Sequence, residues 1–252
     1  MAHEKTTTTA KKKAFVYSDF EEAKGRFLKA IAQGPFYGLL TGPSGSGKTM
    51  LLRELSSSLD RHRSQAHYLS LSQTSRSGIA RYFAEILHLS PWCSPTVLLR
   101  AVAQTLKALP VRIVLLLDDA NSLGAEALGE VRILSECELD SPPLFSSVFS
   151  GTAELKAKLE TPVLFPLKRR ITLRAELNGL KGDEAGPFLL SRLGESEASR
   201  LGAEGISAIF ERANGIPAVI ESLAKLSLER APEGKVVSME VLQEILESWD
   251  LT

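Results

Sequence analysis

Apolar positions along the chain fall into two kinds of run. Short, nearly continuous runs occur at Phe36-Tyr37-Gly38-Leu39-Leu40-Thr41, Ala66-His67-Tyr68-Leu69-Ser70-Leu71, Val111–Leu117 and Phe145–Gly151. Runs this short predict strands, and the continuous run Val111–Leu117 predicts a central strand buried on both faces. A further short strand is predicted at Ile171-Thr172-Leu173. Between the strands the spacing is helical. From Ser18 it puts Phe20, Phe27 and Ile31 on one face, and Gly34-Pro35 ends the segment. Ser18-Asp19-Phe20-Glu21 reads as a capping box that starts this helix. Further helices are predicted from Met50, over Ser77–Leu89, from Ser94-Pro95 to Leu109, and over Thr152–Leu159. Strand and helix alternate from 36 to 173, which predicts a parallel sheet flanked by helices.

From Glu176 the apolar spacing is helical throughout. Four helices are predicted, over Gly182–Leu193, Ala203–Ala213, Pro217–Glu229 and Ser238–Ser248. Asn214-Gly215-Ile216-Pro217 separates the second from the third, with Gly215 suited to a helix C-cap and Pro217 to a first helical position. The expected organisation is a basic, disordered tail over 1–13, an α/β domain over 14–175, and a small all-helical lid domain over 176–252.

Composition narrows the class. The chain has 252 residues, enough for two packed units. No apolar run approaches the roughly 20 residues of a membrane span, and the N-terminus has no signal-peptide core. A cytoplasmic protein is expected. Cys93 and Cys137 are too few for a disulfide framework and are read as reduced, buried thiols. His62, His67 and His88 fit no metal spacing. The formal net charge is zero, yet residues 176–252 carry 7 basic and 14 acidic residues, a net of −7, which leaves +7 for residues 1–175. A basic front half suits a polyanion such as duplex DNA; the alternative is an ordinary charged surface around a nucleotide site.

Two stretches carry chemistry. Gly42-Pro43-Ser44-Gly45-Ser46-Gly47-Lys48-Thr49 follows a predicted strand, opens a predicted helix, and matches G-x-x-x-x-G-K-[ST] without deviation. Glycines let backbone N–H groups turn around an anion, and the helix N-terminus adds partial positive charge. Lys48 is expected at the β- and γ-phosphates of ATP and Thr49 at Mg²⁺. The second stretch is the strand ending in Asp118-Asp119. A carboxylate at a core edge needs a compensating partner. Mg²⁺ beside the phosphate loop supplies one, so Asp118 is assigned to the metal shell through water, and Asp119 to orienting or deprotonating the attacking water.

These residues resemble an AAA+ ATPase of the group shared by general secretion pathway protein A-type ATPases and transposition helper ATPases. Gly42–Thr49, Leu115-Leu116-Leu117-Asp118-Asp119-Ala120-Asn121, Ser150-Gly151-Thr152-Ala153-Glu154-Leu155 and Asn214-Gly215-Ile216-Pro217 carry the resemblance, which spans roughly residues 14–250. It implies that Thr152 is the polar sensor at the end of its strand. It also implies that Arg170 is an arginine finger entering the neighbouring subunit's site, a contact worth about 10³–10⁵ in rate. The alternative for Arg169 and Arg170 is a surface basic pair. Two positions depart from the group: Asp119 stands where Glu is usual, and Ala218 where a second sensor arginine is common, with Arg212 or Lys225 as remote substitutes. The shorter Asp119 predicts slow hydrolysis or use mainly as an ATP-controlled switch. Secretion-type members continue into a membrane span, and this sequence ends after its helices. The expected function is therefore an oligomeric ring or filament on duplex DNA that recruits or activates a transposase or another mobile-element protein. The alternative is an assembly ATPase of a secretion or envelope complex that does not bind DNA.

Overall fold

The computed structural model describes residues 14–69, 78–90, 92–136, 142–232 and 234–249. The tail over 1–13 and Cys137 lie outside the described residues. The first part of the chain alternates α1 (Ser18–Gln33), β1 (Tyr37–Thr41), α2 (Lys48–Ser58), β2 (Ser64–Leu69), α3 (Gly78–Ile86), α4 (Pro95–Ala108) and β3 (Arg112–Leu117). It continues through α5 (Ala125–Ser135), β4 (Ser146–Gly151), α6 (Ala153–Leu159), α7 (Phe165–Arg170) and β5 (Ile171–Glu176). The five strands form one parallel sheet in the order β2-β3-β4-β1-β5. Helices α5 and α7 had no place in the sequence reading. Only Leu128, Val131 and Leu134 of α5 are spaced for one buried face, and α7 has six residues with a proline in its first turn.

Successive strand residues serve opposite faces, as the pleat requires. Leu40, Val114, Leu116, Val148 and Ala175 pack with Phe20, Phe27, Leu51 and Leu55 of α1 and α2. Leu39, Ile113, Leu115, Leu117 and Phe149 pack on the other face with Phe83, Val102, Val131 and Leu155.

After the sheet come α8 (Ala185–Leu193), α9 (Glu195–Arg212), α10 (Pro217–Arg230) and α11 (Met239–Ser248). Helix α9 is broken at Gly202, where φ is +66°, so the predicted helix from Ala203 is its second half. The apolar core of these helices, including Phe188, Ile209, Ile220 and Leu242, continues into the layer formed by α1 and α2.

Two expectations need correction. Ser18 does not cap α1: Tyr17 is the N-cap residue, with no side-chain cap bond. Ser18 lies inside the first turn and donates instead to Glu184, from its N–H at 2.8 Å and its Oγ at 2.6 Å. The acceptor comes from a segment 166 residues away, a partner that a local motif cannot reveal. Cys93 is exposed rather than buried, because it sits in the short link before α4 rather than on a helix face.

Candidate nucleotide-binding site

Parallel strands place their C-terminal ends on one edge, where open α/β sheets bind ligands. In the register, Thr41 pairs with Gly151 and Leu117 with Phe149. The loop after β1, the carboxylates after β3 and Thr152 after β4 therefore share that edge. The loop Gly42–Gly47 runs into α2, with Gly47 as its N-cap. Pro43, Ser44 and Gly45 are exposed, and Ser46 is buried. Gly42 has no room for a side chain, because a Cβ there would lie 2.4 Å from the Leu177 carbonyl oxygen.

Lys48 folds back over the loop. Its Nζ donates to the carbonyls of Gly42 at 3.0 Å and Pro43 at 2.8 Å. Burial lowers its pKa, while Asp119 and Asp118 act the other way. A buried ammonium whose hydrogen bonds go to neutral carbonyls is well suited to a phosphate anion.

Asp118 is only 4% exposed and accepts four hydrogen bonds. Thr49 Oγ1 and Tyr68 Oη donate to its Oδ2 at 2.7 and 2.6 Å. The Asp119 N–H and Ser150 Oγ donate to its Oδ1 at 3.1 and 3.2 Å. The Thr49 bond uses the hydroxyl proton and leaves the oxygen lone pairs free for a cation. This pair fits Mg²⁺, which favours hard oxygen ligands and keeps several waters. Among the described residues, no group of three or more His, Cys, Asp or Glu side chains is placed to hold a metal ion.

Asp119 is exposed and in the left-handed region, with φ 48° and ψ 42°. Thr152 donates its backbone N–H to Asn121 Oδ1 at 3.4 Å, and its Oγ1 is buried without a partner. Ser46 Oγ is buried and unpartnered as well.

Arg170 is not part of this cluster. Ile171 pairs with Tyr37 at the start of β1, so Arg170 lies at the opposite edge of the sheet from the loop. Its Nε lies 3.3 Å from Glu136 Oε1, and its side chain is 60% exposed. Glu136 also meets Arg132 Nη1 at 3.4 Å and accepts from Tyr37 Oη at 3.5 Å. Burial pushes the Tyr37 phenol up to about 12. A cavity of about 310 Å³ opens here between Phe36, Tyr37, Glu136, Arg169, Arg170 and Thr172.

The helical region reaches the loop directly. Ala218, at the start of α10, donates its N–H to the Gly45 carbonyl at 3.3 Å. Tyr17 Oη donates to the Ser46 carbonyl at 2.6 Å. Neither remote cation replaces the missing arginine. Arg212 Nε donates to the Leu246 carbonyl at 3.0 Å, and Lys225 pairs with Glu221 at 2.6 Å. Sequence reasoning missed Tyr68, Ser150 and Tyr17. A hydroxyl at a strand end or before a helix carries no motif of its own.

A phosphate loop joined to a buried strand-end aspartate, on a β2-β3-β4-β1-β5 parallel sheet followed by helices, defines an AAA+ ATPase. Residues 33–159 match the family described as AAA domain, and the chain belongs to that family. Within it, the chain is similar to General secretion pathway protein A of Aeromonas hydrophila, with 27% identity over 213 residues. The match covers 82% of this chain and 39% of that relative, so the chain spans well under half of the relative's length. Among solved structures, Aeropyrum pernix ORC2 in ADPNP-ADP complexes aligns with a TM-score of 0.63 and 16% identity, over 91% of this chain and 66% of that one. Aeropyrum pernix ORC1 in complex with DNA gives 0.61 and 18%, over 92% and 66%. A Thermotoga maritima RuvB variant gives 0.57 and 20%, over 92% and 70%. These likenesses show a shared fold.

Proposed function

We propose that the chain binds ATP with Mg²⁺ between an α/β domain over 14–175 and a helical lid over 176–252, and hydrolyses it slowly as a homo-oligomer on duplex DNA. In this reading it works in the cytoplasm, where ATP is supplied, and regulates transposition by recruiting or activating a transposase. Gly42–Thr49 cradle the phosphates, Thr49 and Asp118 hold the metal, and Asp119 orients the attacking water. Thr152 senses the γ-phosphate, and Arg170 acts on the nucleotide of the neighbouring subunit.

The observation that carries this reading is the convergence of Lys48, Thr49, Asp118 and the orphaned Thr152 hydroxyl on one sheet edge, in direct contact with the helical region through Gly45 and Ala218. Phosphate arriving at the loop changes the surface that α10 rests on, which couples nucleotide state to the arrangement of the helices. DNA enters through the charge division, +7 over residues 1–175 against −7 over the rest. The fold can also hold DNA, as the ORC1 complex does. The likeness to General secretion pathway protein A favours a second reading, an assembly ATPase of a secretion or envelope complex.

Duplex binding measured against salt in each nucleotide state separates the two. The expected result is sequence-tolerant binding, strongest with ATP, whose log affinity falls linearly with log salt at about 0.9 per phosphate contacted. The Lys48→Ala variant should lose the ATP dependence. Protein that stays off duplex DNA at low salt in every nucleotide state moves the assignment to the secretion or envelope complex.

A further inference from the structure

Tyr68 has no part in the functional reading above, yet it makes the shortest of the four bonds to the metal-shell carboxylate. It lies on β2 with Leu116 of β3 as its sheet partner, and the Asp118 N–H donates to the neighbouring Leu69 carbonyl at 3.0 Å. Backbone pairing thus fixes the distance between the Tyr68 and Asp118 Cα atoms. The phenol crosses to Oδ2 at 2.6 Å, beside the Thr49 hydroxyl at 2.7 Å on the same oxygen.

A carboxylate offers about four lone-pair sites, two on each oxygen. All four of Asp118 are taken by protein donors: Thr49 and Tyr68 on Oδ2, Ser150 and the Asp119 N–H on Oδ1. A magnesium-bound water reaching this aspartate must donate a proton to it, and no acceptor site is vacant. One donor has to leave. The Asp119 N–H is part of the backbone, and Ser150 is fully buried. The Thr49 hydroxyl can stay, because its proton faces Asp118 while its lone pairs face the cation. Tyr68 is 37% exposed, so its ring has a route to solvent and to other hydrogen-bond partners.

We propose that Tyr68 is a positioning residue that holds Asp118 in the metal-free protein by occupying the acceptor site a magnesium-bound water requires, and so sets the magnesium concentration the site demands. The proposal rests on Thr49 and Asp118 being the metal shell. In the metal-free state the phenol stops a buried carboxylate from lacking a donor. On metal binding the water takes over that role, and Tyr68 turns outward. Nucleotide occupancy then needs a higher free magnesium concentration for half-saturation than the loop and Asp118 alone would require.

Tyr68→Phe keeps the ring and removes the donor. Mn²⁺, as a paramagnetic probe, is titrated into protein saturated with a non-hydrolysable ATP analogue, and Mg²⁺ is then used to displace it. The variant should bind Mn²⁺ about ten- to a hundredfold more tightly, as expected for removing one competing hydrogen bond to a charged group. It should also melt at a lower temperature than the unmodified protein when no metal is present. Incorporating 3-fluorotyrosine at position 68 strengthens the donor without changing the fold. It should weaken Mn²⁺ binding, and it serves where the Phe variant folds poorly. Equal or weaker Mn²⁺ binding by Tyr68→Phe overturns the proposal. If the unmodified protein takes up nucleotide but neither replacement moves the Mn²⁺ affinity, only the role of Tyr68 falls. If it takes up neither nucleotide nor metal, the ATPase reading falls with it.

Discussion

Thr152 carries the sharpest consequence at the scale of one residue. Its Oγ1 is buried with no hydrogen-bond partner, although its N–H reaches Asn121. A buried hydroxyl without a partner costs about 1–3 kcal/mol. The chain tolerates that cost at the edge where Lys48 and Asp118 meet, which is where a γ-phosphate oxygen would supply the missing acceptor. Thr152→Val removes the hydroxyl at nearly constant shape. The nucleotide-free variant should melt at the same temperature or higher, by up to about 1 kcal/mol of added stability. Its ATP turnover should fall at least about tenfold, the size of one lost hydrogen bond to a charged group in the transition state. Melting curves and steady-state turnover on one preparation check both halves. A variant that is less stable and turns over normally would assign the hydroxyl to structure alone.

At the scale of elements, the contact between the phosphate loop and α10 governs how the helices meet the sheet. Gly45 has φ +80°, and a Cβ on it would lie 2.7 Å from the Ala218 Cβ and 3.2 Å from Ile216 Cγ2. A side chain there is strained twice, by backbone conformation and by overlap with the start of a helix. Gly45→Ala should destabilise the protein by about 1–3 kcal/mol, the usual cost of forcing a non-glycine residue into such a region. Nucleotide affinity should drop as well, since the loop and α10 must separate to admit the methyl group. Denaturant unfolding gives the first quantity and an equilibrium nucleotide titration the second. Unchanged stability with unchanged affinity would mean that the loop and α10 do not press on each other. Ala218 meets the loop in this contact. The position is used to pack against the loop, and Arg212 and Lys225 are occupied elsewhere.

At the scale of the molecule, the phosphate loop and Arg170 stand at opposite ends of the parallel sheet. No single chain can bring them together without dismantling the sheet, so a role for Arg170 in hydrolysis requires a second copy. In the single chain Glu136 holds the guanidinium, and Glu136 is itself braced by Arg132 and Tyr37. Asp119→Asn and Arg170→Ala should each bind ATP and lose most hydrolysis. A mixture of the two forms some interfaces with Asp119 intact on one side and Arg170 intact on the other. It should recover part of the activity of the unmodified protein, measured at equal total subunit concentration. Normal hydrolysis by assembled Arg170→Ala returns that residue to a surface or DNA-facing role.

The sequence alone determined the parallel α/β class, the phosphate loop, the aspartate pair and the run of C-terminal helices. The reason is local in each case. Buried parallel strands are written as short continuous apolar runs such as Ile113–Leu117, and the loop needs its glycines and Lys48 at fixed spacing. Only the tertiary structure decided which distant groups complete the site. Ser18 looked like a cap for its own helix and instead donates to Glu184, and Tyr17 reaches the Ser46 carbonyl. Tyr68 and Ser150 complete the hydrogen bonding of Asp118 from two other strands. Ala218 meets Gly45 across 173 residues of chain. These partners are set by strand order and register, and residue type at one position holds no record of what a neighbouring strand places beside it.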